Sequence, residues 1–533
     1  MAPSVWTNVP CDVIRNVLLF TIPSAGPPAA LSSLRLTCRH LYNALQQCKP
    51  DLYIRIFALQ FDLDPPFRCL GYDRRLLSQK VEDELRTRVT ILKDLRHDRL
   101  HGKRLDKALW TLYFMILQDQ GHNLQQLRWA KAHAALRSFL RHRLYIGAEE
   151  NNGWPVESAQ NSLAVACLWF LSSKAILNEE KKDESELLMA RLLPFVQAAF
   201  RYPCFIGSEA NFGGDNSLMS PAETVTSNVH GVYPPDGPSP EDVPYFGDLM
   251  CECRPPPISL FAILNYFVRA DLTPLEIPPH LPLNRVCAIA SQRVGPTRED
   301  MQYFLDHCNT KFASPNTERD DGWLCPTGQP SYVLGDITGR WEGSMMVPCI
   351  DNTYKKWLST PTIPTPFPAF GRRPLNFILH EYYCTDESTR LPSDEPTNGI
   401  KNAWLPAGCK WIEQDDGIEV FDEDGSFYSF YKSFKAGGDL ADMANVIDII
   451  VVGKPDETHK AAWGGFNCIG RIRLSDGLVA LAAEAQLEVV NPSIFRGYVT
   501  SPQNFVGRSR GQFNAGLEPA NWEASFSLSK HTE

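Results

Sequence analysis

The chain has 533 residues, more than one hydrophobic core normally organises, so several domains are expected. Its 52 lysines and arginines face 62 aspartates and glutamates, a formal charge of −10 with no basic block to offset it; this excludes a nucleic-acid backbone as the main partner. No apolar run approaches the roughly 20 residues of a membrane span, and the start lacks the pattern of a secretory signal. The expected location is therefore cytoplasmic or nuclear, with no membrane partner. The 15 cysteines are dispersed, with Cys38 and Cys167 among apolar residues, and read as reduced, buried thiols.

In chain order, Asp12 favours a first helix whose Val13, Val17 and Leu18-Leu19-Phe20 supply a face that must be buried. Pro23, Gly26, Pro27 and Pro28 end it. Ser32 or Ser33 opens a second helix, in which Leu34, Cys38, Leu41 and Leu45 recur every three or four residues.

These residues resemble an F-box, the short helical module by which substrate adaptors enter cullin-RING ubiquitin ligases. The leading hydrophobic-proline pair falls on Val9 and Pro10, the acidic and branched apolar positions on Asp12, Val13, Ile14, Val17 and Leu18, and the later apolar-cysteine-basic stretch on Leu36, Cys38 and Arg39. The likeness covers residues 1–50. It implies a Skp-type adaptor and a cullin ligase as partners, with Pro10, Ile14, Val17, Leu18, Leu36 and Leu41 as the partner-facing or supporting core.

Residues 51–330 read as mainly helical with Pro/Gly-rich loops. Leu85, Val89 and Leu92, then Leu105, Leu109, Leu112 and Met115, then Leu136, Leu140 and Leu144 keep a helical period. Leu163, Ala166 and Phe170, and Leu187, Leu188, Leu192 and Val196, continue it. The charged run 178–184 is expected to be a solvated connection. From 202 to 282 Gly, Pro, Asn and Asp predict long irregular crossings. Cys251 and Cys253, one residue apart, lack the second pair a zinc site needs, so no metal is expected. Helices resume around Phe261, Leu264 and Phe267, and after Thr297, a cap for a segment burying Met301, Phe304 and Leu305.

From 331 to 533 the period becomes that of strands: 339–347, 377–383, 427–434, 446–452, 466–474, 478–481, 494–499, 504–508 and 522–528. Asp476-Gly477 predicts a tight turn between two of them. So many segments close best into an antiparallel barrel or a strongly curled sheet, making the chain an α+β multidomain protein. Gly339-x-Trp341 and the meander after it resemble a lipocalin-like, or calycin, barrel, with Trp341 expected across its base. The whole arrangement also resembles uncharacterised F-box-domain families of fungi.

On the strand 466–474, Cys468, Ile472 and Leu474 share one parity while Arg471 and Arg473 share the other, facing either a polar lumen or, more simply, solvent. With His459 and Trp463, joined by His380 and Glu381, these arginines are the residues expected at a ligand pocket: an aromatic wall, cations for a carboxylate or phosphate, and a proton donor. No nucleophile elbow, metal-binding histidine pair or phosphate loop accompanies them, so no catalytic residue is assigned and no cofactor is called for. Two functions are consistent with these residues. One is an adaptor whose C-terminal region recognises an unknown target protein or small molecule; the other is a ligand-binding protein or enzyme with a vestigial F-box.

Overall fold

Pro10 and Pro28 sit immediately before the first two helices, α1 (Cys11–Thr21) and α2 (Ala29–Thr37), where a residue without a free N–H costs nothing. The computed structural model describes residues 9–206, 212, 226–233, 235–273, 275–312, 332–349, 352–363, 367–392, 403–406, 408–435, 445–485, 493–500, 503–511 and 523–531. The single second helix expected from the leucine spacing is two: Cys38 is extended (φ −159°) and separates α2 from α3 (Arg39–Gln47). Cys38 is exposed, against expectation, whereas Cys167 is buried.

The helical body follows as α4 (Lys49–Gln60), α5 (Asp64–Cys69), α6 (Arg74–Arg96), α7 (Leu105–Leu117), α8 (His122–Trp129), α9 (Ala132–Arg143), α10 (Ala159–Leu171), α11 (Lys174–Asn178) and α12 (Lys182–Gln197). Asp73 starts α6 by accepting hydrogen bonds from the Arg75 and Leu76 N–H groups. Two small hairpins, β1 (Thr226–Asn228) with β2 (Gly231–Tyr233) and β3 (Glu241–Tyr245) with β4 (Leu249–Cys253), occupy part of the stretch read as irregular. Helices α13 (Ile258–Asp271), α14 (Arg285–Ala290) and α15 (Arg298–His307) complete the body; Thr297 and Asp300 form the capping box of the last. Helix α13 is buried nearly all round, and it packs on α10 and α12 on one side and on the barrel on the other. The core of α1–α3 runs without a break into that of the body.

The charged run 178–184 is not simply solvated. Glu180 is buried against Arg269 of α13 (2.9 Å) and also meets Arg137 of α9 (3.2 Å), tying three segments together.

The C-terminal strands are β5 (Gly339–Pro348), β6 (Phe370–Cys384), β7 (Lys410–Glu413), β8 (Gly417–Phe421), β9 (Phe427–Ser433), β10 (Asp448–Lys454), β11 (Phe466–Arg473), β12 (Leu478–Ala485), β13 (Ser493–Thr500), β14 (Asn504–Gly511) and β15 (Glu523–Lys530). They pair antiparallel in the order β10-β11-β12-β13-β14-β15-β5-β6, and a β6–β10 ladder closes the ring into an eight-stranded barrel. Strands β7–β9 hang outside it, joined through β9 to the end of β6. The predicted strand 427–434 is thus outside the barrel, and β7 and β8 were not anticipated.

Alternation sorts the residues of the barrel. Trp341, Phe377, Ile449, Cys468, Ile472, Leu481, Phe495, Phe505 and Phe526 point inward, and with their neighbours fill the lumen. Strands approach so closely that a Cβ on Gly470 would lie 1.7 Å from the Ala480 carbonyl oxygen. The Trp341 indole donates to the Ile337 carbonyl (2.6 Å), beneath the Lys530 ammonium (5.7 Å from the ring).

The outer wall is a second buried surface. Arg508 donates to the Phe195 carbonyl at the end of α12, the Ser525 hydroxyl to that of Val196, and the Ile206 N–H to the Tyr498 hydroxyl. The proline-rich excursion between β5 and β6 holds α16 (Asn352–Ser359), whose Trp357 packs on Trp154 of the body (5.4 Å between centroids).

Candidate functional site

Helix α1 carries two faces. Ile14 and Leu18, one turn apart, are buried with Leu31, Leu41 and Leu45. Val13, Val17 and Phe20 share the other face and stay open, at 47%, 48% and 91% exposure, and Leu36 of α2 is 87% exposed. Pro10 is exposed as well. The six partner residues expected from the F-box likeness therefore divide: Ile14, Leu18 and Leu41 hold the helices together, while Pro10, Val17 and Leu36 face outward. Val13 and Phe20, expected on a face that must be buried, belong to the outward set. Arg15, between the faces, pairs with Asp12 (3.1 Å) and Asp51 (3.4 Å), fixing α1 to α4 by surface ion pairs of small energetic weight.

The barrel residues expected to share a pocket occupy different surroundings. Arg471 and Arg473 point outward as their parity requires, but neither reaches solvent or the lumen: segments of the same chain cover both. Arg471 spends all five of its N–H donors. Two go to Asp448 (3.2 and 2.6 Å), two to the Pro392 and Trp404 carbonyls (3.0 and 2.9 Å) and one to that of Leu391 (3.2 Å). Arg473 binds both oxygens of Asp476 (2.8 and 2.6 Å), whose second oxygen also accepts from the Tyr498 hydroxyl (2.9 Å). Register places Arg471, Ala480, Arg496 and Arg508 in one row across β11–β14, a buried arginine stripe at the seam between barrel and helices.

Glu381 lies in the lumen mouth. Its carboxylate accepts from the Tyr332 hydroxyl (2.7 Å), the Gly335 and Thr338 N–H groups (2.9 Å each) and the Thr338 hydroxyl. That arrangement plugs the barrel with residues 332–338, although burial still pushes the carboxyl up from its ordinary range. His380, its neighbour, faces outward and is exposed.

His459 and Trp463 lie on α17 (Glu457–Trp463), ahead of β11 and away from the arginines at its far end. Asp456 caps this helix by accepting from the His459 N–H (2.6 Å). Burial pulls the imidazole down to about 4, against the opposing pull of Asp456 and Glu342. Trp463 packs toward Phe304 of α15 (6.5 Å between centroids). Around them runs a network that the sequence reading missed. Tyr303 donates to Glu342 (3.0 Å), Arg340 bridges Glu342 and Asp456 (2.8 Å to the latter), and Asn376 donates to Asp456 (3.1 Å). Burial and Glu342 push the Tyr303 phenol up to about 12. Arg340 and Glu342 are neighbours on β5, but Tyr303, Asn376 and Asp456 come from three other places in the chain, so no local spacing announces the network as a whole.

Among the described residues no group of three or more His, Cys, Asp or Glu side chains is placed to hold a metal, and no helix is long and apolar enough to cross a membrane. No family model, curated protein or solved structure matches this chain.

Proposed function

We propose that this protein is a substrate-recognition adaptor of an SCF-type ubiquitin ligase, docking a Skp-type partner through its N-terminal helices and presenting a target through the remainder of the chain, in the cytoplasm or nucleus. The observation that carries the reading is the open apolar face of Val13, Val17 and Phe20 on α1, together with exposed Leu36 on α2, on helices whose buried residues already form a core. A fold with a complete core gains nothing from keeping a phenylalanine and a leucine almost wholly in water. Covering each such side chain with a partner contributes about 1.5–3 kcal/mol. The filled lumen and the saturated Arg471 give no comparable support to a small-molecule pocket in the barrel.

The test is co-purification and titration of the full chain with a Skp-type adaptor, comparing the parent with V17D and F20D. Both positions are exposed, so the variants keep their fold, which circular dichroism checks. Binding weakened at least tenfold in each variant supports the reading. Absence of binding by the parent, or equal binding by folded variants, refutes it.

A further inference from the structure

A groove of about 620 Å3 runs between the C-terminal half of α6 and the start of α7. Ile91, Leu100, Leu105 and Ala108, all part of the helical core, form its floor. The rim is cationic. Arg86, Arg99, Arg104 and Lys107 line it with His101, and Asp94 is the carboxylate among the lining residues. Two of these cations are engaged at the margins, Arg86 with Glu82 and Lys107 with Asp248 (3.0 Å). Arg99 and Arg104 are exposed and have no ion-pair partner among the described residues.

The combination defines a ligand chemistry. An apolar floor alone would suit any hydrophobic segment, and a cationic patch alone any anion. Unpaired guanidinium groups above an apolar floor match a chain that alternates carboxylates with aliphatic side chains. We propose that this groove binds an acidic peptide segment of another protein, with its carboxylates on Arg99 and Arg104 and an aliphatic side chain on the Ile91–Leu100 floor. Under the adaptor reading this segment belongs to the target. The groove shares no residue with the open face of α1 and α2, so the two proposals fail separately.

The experiment is fluorescence polarisation with the full chain and a fluorescein-labelled peptide of about ten residues alternating aspartate or glutamate with leucine, beside a matched peptide with asparagine and glutamine in place of the acids. The expected result is at least tenfold tighter binding of the acidic peptide, weakened by added salt as exposed charge pairing requires. Binding should weaken at least tenfold in R99E/R104E. Thr90→Trp, which narrows the groove from exposed Thr90 without altering charge, should also weaken it, while F20D leaves it unchanged. Equal binding of the two peptides overturns the proposal. So does undiminished binding by an R99E/R104E protein that melts like the parent, or displacement of the peptide by an equal concentration of single-stranded RNA.

Discussion

Replacing Arg471 by methionine keeps an apolar stem of similar reach up to the guanidinium and removes the charge and the donors. Asp448 would then be left in a fully buried site with the Tyr431 hydroxyl (2.5 Å) and the Ile449 N–H (3.0 Å) as its remaining donors. Three carbonyls, of Leu391, Pro392 and Trp404, would lose a partner together. Breaking a buried ion pair from one side costs about 3–5 kcal/mol, and each orphaned buried acceptor adds to that by about 1 kcal/mol or more. The expected loss is therefore at least about 3 kcal/mol, read as a lower urea midpoint in tryptophan fluorescence. R471M/D448N removes the stranded charge and should recover at least about 1 kcal/mol relative to the sum of the single changes. A loss below about 1 kcal/mol in R471M, or strict additivity in the double variant, would refute the view of Arg471 as the structural tie between the barrel and the segment around Trp404.

Acid should act through two histidines. His459 and His133 are both held down to about 4 by burial, with Arg269 and Arg137 adding to the effect at His133. Above about pH 6.5 neither state carries the proton; as pH falls from there to about 4, the unfolded chain binds protons that the folded one refuses, so stability drops, by about 2 kcal/mol per histidine at pH 5. H459Q should lose less stability than the parent between pH 7 and 5 in parallel urea titrations, and an unchanged pH slope would count against the assignment. Gly477 has φ +76°, so Gly477→Val should cost about 1–2 kcal/mol, seen as a lowered denaturation midpoint. A variant as stable as the parent would mean that the Asp476 turn is not held by its bonds to Arg473, Leu478 and Tyr498.

The barrel strands and the long helices were legible because each follows one local period. The 466–481 hairpin shows this well: its parity, its turn and the inward placement of Cys468 and Ile472 all follow from alternation. Alternation names two faces of a sheet without saying what covers the outer one. Arg471 and Arg473 therefore read as solvated, whereas the helical body and the loop segments at 391–392 and 404 bury them. Glu180 fails for the same reason, its main partner Arg269 lying far along the chain. The break at Cys38 carries no proline or glycine to mark it. At the N-terminal face the sequence showed that Val13, Val17 and Phe20 needed cover; that the chain itself does not supply it is visible only in three dimensions.

The position of β5 also sets the order in which the chain can finish folding. Strand β5 finds one neighbour, β6, soon after it is made, but the other, β15, begins only at Glu523. Until that strand leaves the ribosome, β5 and β14 each present an open edge, and the carbonyl of Val196 lacks the Ser525 donor that later occupies it. Chains interrupted before β15 is complete would thus combine two unpaired edges with an uncovered Val196 carbonyl, a species prone to associate with its own kind or to be held by a chaperone.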